Sequence, residues 1–599
     1  MVMHKTDKTV RIGGASGFWG DSSVGAPQLV MSGQIDYLVF DYLAELTMAL
    51  LASTKRKKPE LGYASDFVDV AMRGVLPELK KRGIKVVTNA GGINPRGCAD
   101  ALAKLAAELG VEITIAIVEG DDVSSQIPAL RAAGQTDMFS AVPLPETVLS
   151  ANAYLGALPV ANALGRGADV VITGRCVDSA VTLGPLIHEF GWSANDYDKL
   201  AAGSLAGHII ECGCQATGGL FTDWELVPDW DNIGYPIVEC RADGSFVVIK
   251  PAGTGGLVVA AGVTEQLVYE IGDPSAYFLP DVVCDFRDVR IEQIGENRVS
   301  VKGARGLPPT ASYKVSTTYM DGYRAAGTMI IIGRDAVAKA RRTGEAILKR
   351  TRTLFKALGI PDYTATNIEA IGGESIYGPN SRTLHAREVT MRVTVNHTMK
   401  EALDIFAKEI APSGTSWAPG TTAPGFVRPS PAPLIKQIAF TLPKDRVSIQ
   451  VTVNDKTETV GVPLEGGYKP QSNTTPPSPP MPLSGGERMK VPLITLAYAR
   501  SGDKGDISNI GVIARKPEYL PVILEQVTPA AVKAYFSHMV KGEVVCYLLP
   551  GVSACNFMLF NALDGGGTAS MRLDPLGKGM GQMLLDMEIA VPKALLSVA

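Results

Sequence analysis

Basic residues are not in excess in this chain. Lys and Arg number 57 against 61 Asp and Glu, a net charge of −4. That excludes nucleic acid and anionic membrane as chief partners, since both select a basic surplus. Long clean apolar runs are missing as well. Residues 35–51 carry Asp36, Asp41 and Glu45, and residues 154–172 carry Pro159, Arg166 and Asp169. Neither offers the ~20 uninterrupted apolar residues of a membrane span. Residues 1–14 hold Lys5, Asp7, Lys8 and Arg11 without an apolar stretch, so no secretory signal is expected. Cysteine is sparse, eight in 599 residues, and forms no dense framework. This leans towards a reducing compartment, and a cytoplasmic protein is expected.

What is present is ordinary for a globular chain: 46% apolar and 20% charged residues, enough for a large core. The length predicts about four domains, or two to three large ones. Residues 462–490 read VPLEGGYKPQSNTTPPSPPMPLSGGERMK, rich in proline and poor in large apolar groups. Such a segment buries too little to offset its chain entropy, so it reads as a tether between residues 1–461 and a C-terminal unit at 491–599. In the first unit short apolar runs alternate with helical patterns. Strands are predicted at 9–12, 84–89, 111–118 and 168–172, with a further short apolar run at 36–40 and helices between them. That is the βαβ signature of a parallel sheet, and the fold class is α/β, Rossmann-like, over about 1–230. From about 231 to 461 the pattern turns α+β, with a hairpin closed near Asp243–Gly244 and a pair of strands within 439–460. The tail reads as strand, the loop RSGDKGDIS, helix and two further strands, a small α+β sandwich.

Five passages carry candidate chemistry. Residues 13–20, GGASGFWG, follow a strand, and their backbone N–H groups suit an anion. Gly13, Gly14, Ser16 and Gly17 are therefore candidate anion ligands. The spacing has one residue too many for a dinucleotide fingerprint, and a plain tight turn is the competing reading. Residues 89–97, NAGGINPRG, also end a strand, where open α/β sheets bind ligands. Asn89, Gly91, Gly92 and Asn94 could hold a carbonyl and Arg96 a carboxylate, while Asn94 could equally be a helix cap. In TGRCVDS at 173–179, Arg175 and Asp178 place a cation and a candidate general base at one pocket edge, while Asp178 could equally cap the next helix. In HIIECGCQATGGLFT at 208–222, His208 and Glu211 form a candidate acid–base pair, with a half-buried helix followed by a glycine turn as the competing and favoured reading. The His208, Cys212 and Cys214 spacing falls short of a zinc motif, and no metal is assigned. In RSGDKGDIS at 500–508, Ser501 and Lys504 make an anion-friendly loop, with a charged surface hairpin as the alternative. The DGGG turn at 564–567 is placed beside it.

Together the blocks IGGASGFWGDS at 12–22, NAGGINP at 89–95, GADVVITGRCVDSA at 167–180, AGHIIECGCQATGG at 206–219 and RSGDKGDISNIGVIAR at 500–515 resemble the acyclic terpene utilisation family. The resemblance covers nearly the whole chain, in order. It implies a large N-terminal domain followed by a ferredoxin-like C-terminal domain. It also implies the catabolism of acyclic terpenes, whose intermediates are branched acyl-CoA thioesters. It assigns no catalytic residues, so Asp178, His208 and Glu211 rest on position and chemistry alone. The expected function is a lyase or hydratase-like enzyme on branched or carboxylated acyl-CoA thioesters. CoA enters as part of the substrate, with no separate cofactor, and a homo-oligomer is expected. The alternative is a non-catalytic assembly or carrier component docking to a partner acyl-CoA enzyme.

Overall fold

The computed structural model describes residues 8–423, 428–470 and 486–596. Most of the proline-rich segment, residues 471–485, lies outside them, as do residues 1–7. No helix among the described residues is long and apolar enough to cross a membrane.

The first unit is built on β1 (Thr9–Gly14), β2 (Tyr37–Phe40), β3 (Lys85–Thr88), β4 (Ile115–Glu119) and β6 (Val170–Thr173), while β5 (Ser150–Ala153) joins a different sheet. Four of these strands run Val-, Ile- and Leu-rich, as strands covered on both faces must. β2 and β6 are buried at every position. The parallel order is β1-β2-β3-β6-β4. A dinucleotide fold runs 3-2-1-4-5-6 and reverses at its first strand. The Rossmann-like expectation therefore fails in strand order. What stands is an α/β unit with the loops after its parallel strands gathered along one edge.

The expected α+β division near 231 is also displaced. The hairpin β7 (Ile237–Arg241) and β8 (Phe246–Ile249) pairs antiparallel with β1 and continues through Arg298–Lys302 to Arg290–Gly295. At the other edge Gln450–Val453 pairs with β4 and with Lys456–Thr459. The result is an eleven-stranded sheet. The pair of strands expected within 439–460 is split between sheets. Ala432–Pro443 belongs to a second sheet, centred on the 21-residue strand Ser312–Ile332. That strand shifts register between Met320 and Tyr323, where Gly322 has φ +87°. Before the shift it pairs with Ala432–Pro443 and β5; after it the pairing with Ala432–Pro443 ends at Arg324, and Glu388–His397 is the neighbour from Tyr323 to Ile332.

In the C-terminal unit Arg488–Pro492 pairs with Glu588–Pro592. A four-stranded antiparallel sheet runs Ala497–Lys504, Ile507–Ala514, Ala554–Leu559, Val544–Leu549. RSGDKGDIS is therefore not a loop but two strands with a turn at Gly505, φ +67°.

Candidate functional site at the domain boundary

Three strands of the parallel sheet end on a polar residue. Asp41 follows β2, Asn89 follows β3, and Gly174 with Arg175 follows β6. The Asn89 amide donates to Asp41 Oδ1 at 2.5 Å, and its oxygen accepts the Tyr42 N–H at 2.7 Å. Burial pushes the Asp41 carboxyl well above its usual range, helped by Asp178 and opposed by Arg175. Gly174 admits Asp121, whose carboxylate lies 2.3 Å from where a Cβ would stand. Asp121 accepts from the Arg175 backbone N–H and the Asn152 amide, each at 2.8 Å, and burial lifts its pKa to about 7.

Arg175 is 3% exposed. Its guanidinium donates to Asp178 at 2.7 Å and to the Cys176 carbonyl at 2.8 Å, and it lies 4.1 Å from the centre of the Tyr154 ring. Its Nε is buried with no partner. The Tyr154 hydroxyl donates to Glu45 at 2.6 Å, and Lys314 sits 3.7 Å from Glu45 and 5.0 Å from the same ring. Burial raises Glu45, but Lys314 and Arg175 outweigh it and keep the carboxyl below its usual range. Burial in turn lowers Lys314.

His208 and Glu211 lie three residues apart, the spacing that puts two side chains on one helix face. His208 Nδ1 and Glu211 Oε1 are 3.0 Å apart. Both are buried, and His208 Nε2 has no partner. Burial opposes protonation of the imidazole, but Glu211 overcomes it and raises the His208 pKa. The position is fixed by glycines. A Cβ on Gly207 would lie 2.7 Å from Ser179 Cα, and one on Gly14 2.6 Å from the Ile210 carbonyl oxygen. Helix Tyr197–Ile210 is thus pressed on β1 and on the residue after Asp178.

Lys504 reaches this space from the C-terminal unit. Burial disfavours its charge, but Tyr277, Glu270, Asp178 and Glu45 outweigh that and raise its pKa. Its side chain makes no hydrogen bond or ion pair with any described residue. The rest of the motif docks the domains. Gly502 leaves room for Tyr269 and Glu270, with Glu270 Cγ 2.5 Å from the Cβ position. Asn509 donates to the Val268 carbonyl at 2.7 Å and accepts the Glu270 N–H at 3.0 Å. Asp506 accepts from the N–H groups of Leu563 and Gly565 in the DGGG turn.

Of the residues predicted from sequence, Asp178, His208, Glu211, Arg175 and Lys504 converge, and Asn89 stands one step behind through Asp41. The others do not. Gly14, Ala15 and Gly17 give their N–H groups to Pro236, Val39 and Asp21, so these three are not free to hold an anion. The Ser16 hydroxyl donates to the Phe18 carbonyl, and Gly13 packs under Leu29 and Ile35. Gly91 is needed because a Cβ would lie 2.5 Å from the Thr173 carbonyl oxygen, and Gly92 has φ +53°. Asn94 caps the helix Pro95–Leu109 through Gly97 N–H. Arg96 is half exposed and paired with Glu119 at 2.5 Å. The Ser501 hydroxyl donates to Gly577 and accepts from Gly581.

Asp41, Glu45, Tyr154, Lys314 and Glu270 escaped the sequence reading. Asp41 was findable, since it follows an apolar strand as Asn89 does. Lys314 was not, because the strand that carries it was not predicted. Burial pushes the thiols of Cys176 and Cys214 up to about 12 and Cys212 well above its usual value, so none is a thiolate at neutral pH. Among the described residues no cluster of His, Cys, Asp and Glu is placed to hold a metal ion.

The model of the acyclic terpene utilisation family protein AtuA matches residues 10–453. The chain belongs to the acyclic terpene utilisation family. The AtuA ferredoxin-like domain matches residues 491–590, so the α+β unit that delivers Lys504 is ferredoxin-like. No curated protein and no solved structure matches the chain.

Proposed function

We propose that this family member is a catabolic enzyme acting on branched or carboxylated acyl-CoA thioesters, of lyase or hydratase type. The observation that carries this reading is the His208–Glu211 pair, buried at the strand ends beside Arg175 and Lys504. Both reaction types pass through an enolate-like transition state. Each needs a group that moves a proton next to a group that stabilises a developing oxyanion. Glu211 engages Nδ1, which leaves Nε2 as the atom facing substrate. The Lys504 ammonium carries three N–H donors and supplies the contact to the oxyanion. Asp178, 38% exposed at its side chain, is the second proton carrier.

The test is turnover of a panel of branched and carboxylated acyl-CoAs by the full chain, followed by mass. We expect one class to be converted, and His208→Gln to slow that conversion by about 10² or more. A protein that binds or converts none of them, while the free acids bind, overturns the reading.

A further inference from the structure

Lys314 and Lys504, both half-buried, approach one space from opposite sides of the domain boundary. Lys314 stands near the start of the strand Ser312–Ile332, and Lys504 ends the C-terminal strand Ala497–Lys504. Arg175 arrives from the end of β6 and shares the Tyr154 ring with Lys314. Three cations gathered together repel one another, and Lys504 and Arg175 each weigh against the Lys314 charge. Such a cluster asks for an anion between its members. Arg175 Nε, on a residue 3% exposed, has no partner, and the Lys504 ammonium has none among the described residues.

We propose that a substrate carboxylate sits between Lys314 and Lys504 with Arg175 Nε as a further donor, so that the anion subsite exists only where the two domains meet. The charge balance selects a carboxylate over phosphate. Four cations, Arg175, Lys314, Lys504 and the Lys578 that pairs with Glu270, face three carboxylates, Glu45, Asp178 and Glu270, which leaves one positive charge, a match for a monoanionic group and not for a dianion. Asp41 does not upset the balance, because burial favours its neutral form. Lys504 is then the residue that decides for carboxylated over uncharged substrates, and the tethered domain supplies it. This rests on the thioester reading only for the rest of the substrate.

Calorimetric titration of the full chain with glutarate, and separately with inorganic phosphate, tests it. We expect glutarate to bind the native protein. Lys504→Met and Lys314→Met should each weaken binding by about tenfold or more, and Lys504→Arg should keep most of it. Arg96→Ala, at a paired surface site, should change nothing. Melting curves identify any variant that fails to fold, and Lys504→Arg against Lys504→Gln then carries the comparison. Unchanged glutarate affinity in folded Lys504→Met overturns the proposal, and so does a native protein that prefers phosphate or binds neither. If glutarate binding needs Lys504 while no acyl-CoA is converted, this inference stands and the thioester reading falls. If carboxylated acyl-CoAs are converted with KM unchanged in Lys504→Met, the reverse holds.

Discussion

A methyl group on Gly14 would lie 2.6 Å from the carbonyl oxygen of Ile210. No unstrained contact is that short, so β1 and the helix Tyr197–Ile210 touch only because residue 14 has no side chain. Gly17 repeats the device, with Cys212 Cα 2.9 Å from its Cβ position. Gly14→Ala must push the helix end away, and His208 with it. We expect a loss of about 2–3 kcal/mol in stability, read as a lower urea midpoint. Gly74→Ala is the counterpart. Gly74 lies in the helix Arg73–Arg82 with nothing near its Cβ position, and alanine there should stabilise by about 0.5–1 kcal/mol. Equal effects at the two sites would contradict the close approach.

Glu211 is the group that raises the His208 pKa, since burial alone acts the other way. Glu211→Gln keeps a hydrogen-bond acceptor but removes the charge. The His208 pKa should therefore fall, and the proton should leave at lower pH. The chain has six histidines, few enough to follow each ring proton through a pH titration by NMR. A His208 signal that titrates at the same pH in Glu211→Gln would show that Glu211 does not set its charge.

The elements nearest the site were the easiest to read. IKVVTN and ADVVI are β-branched runs that end on a turn, and they become β3 and β6. Asn94 before Pro95 reads as a cap and is one. Local pattern suffices there, because the strand is covered on both faces and the cap is satisfied within four residues. The long strand Ser312–Ile332 was not legible. Its first half has β5 and Ala432–Pro443 as neighbours and its second half Glu388–His397, so its burial pattern follows no single period. Lys314 rides on that strand and was missed with it. The glycine turn at 13–17 misled for a different reason. A glycine that frees backbone N–H groups and a glycine that admits a neighbouring helix look the same in sequence, and only the neighbour separates them. RSGDKGDIS was recognised as a motif, but its docking role depends on Val268 to Gly272, more than two hundred residues away.

Asn509 shows how that docking works and how to loosen it. It is fully buried, donates to Val268 O at 2.7 Å and to Asn556 Oδ1 at 2.9 Å, and accepts from Glu270 N at 3.0 Å. Asn509→Ala leaves the Val268 carbonyl, the Asn556 Oδ1 and the Glu270 N–H without this partner, a cost of roughly 2–4 kcal/mol. The loss falls on the boundary. Hydrogen exchange should quicken in Val268–Ile271 and in the strands Ala497–Lys504 and Ile507–Ala514, and stay unchanged in β2 and β3. Quickening spread evenly over both domains would mean that Asn509 supports the core rather than the junction.

Glu265 gives the boundary a pH dependence of known sign. Its Oε1 accepts the Thr222 N–H at 3.1 Å, while Oε2 is buried without a partner. Burial lifts its pKa to about 7, with Thr222 and Arg500 opposing. Between its ordinary value of 4.5 and about 7 the folded chain holds the proton and the unfolded chain has lost it. The folded state then binds more protons, so stability falls as pH rises through that window, by about 1.4 kcal/mol per pH unit from this group, and levels off above it. Glu265→Gln keeps the acceptor for Thr222 and is neutral at every pH. Its Tm should match the native protein at pH 4.5 and exceed it at pH 8.5. Asp121 and Asp503, also raised to about 7 by burial, give slopes of the same sign in both proteins, so the difference between the two curves isolates Glu265. A variant that melts lower than the native protein at pH 8.5 would mean that the ionised carboxylate is stabilising there, which requires a partner for Oε2.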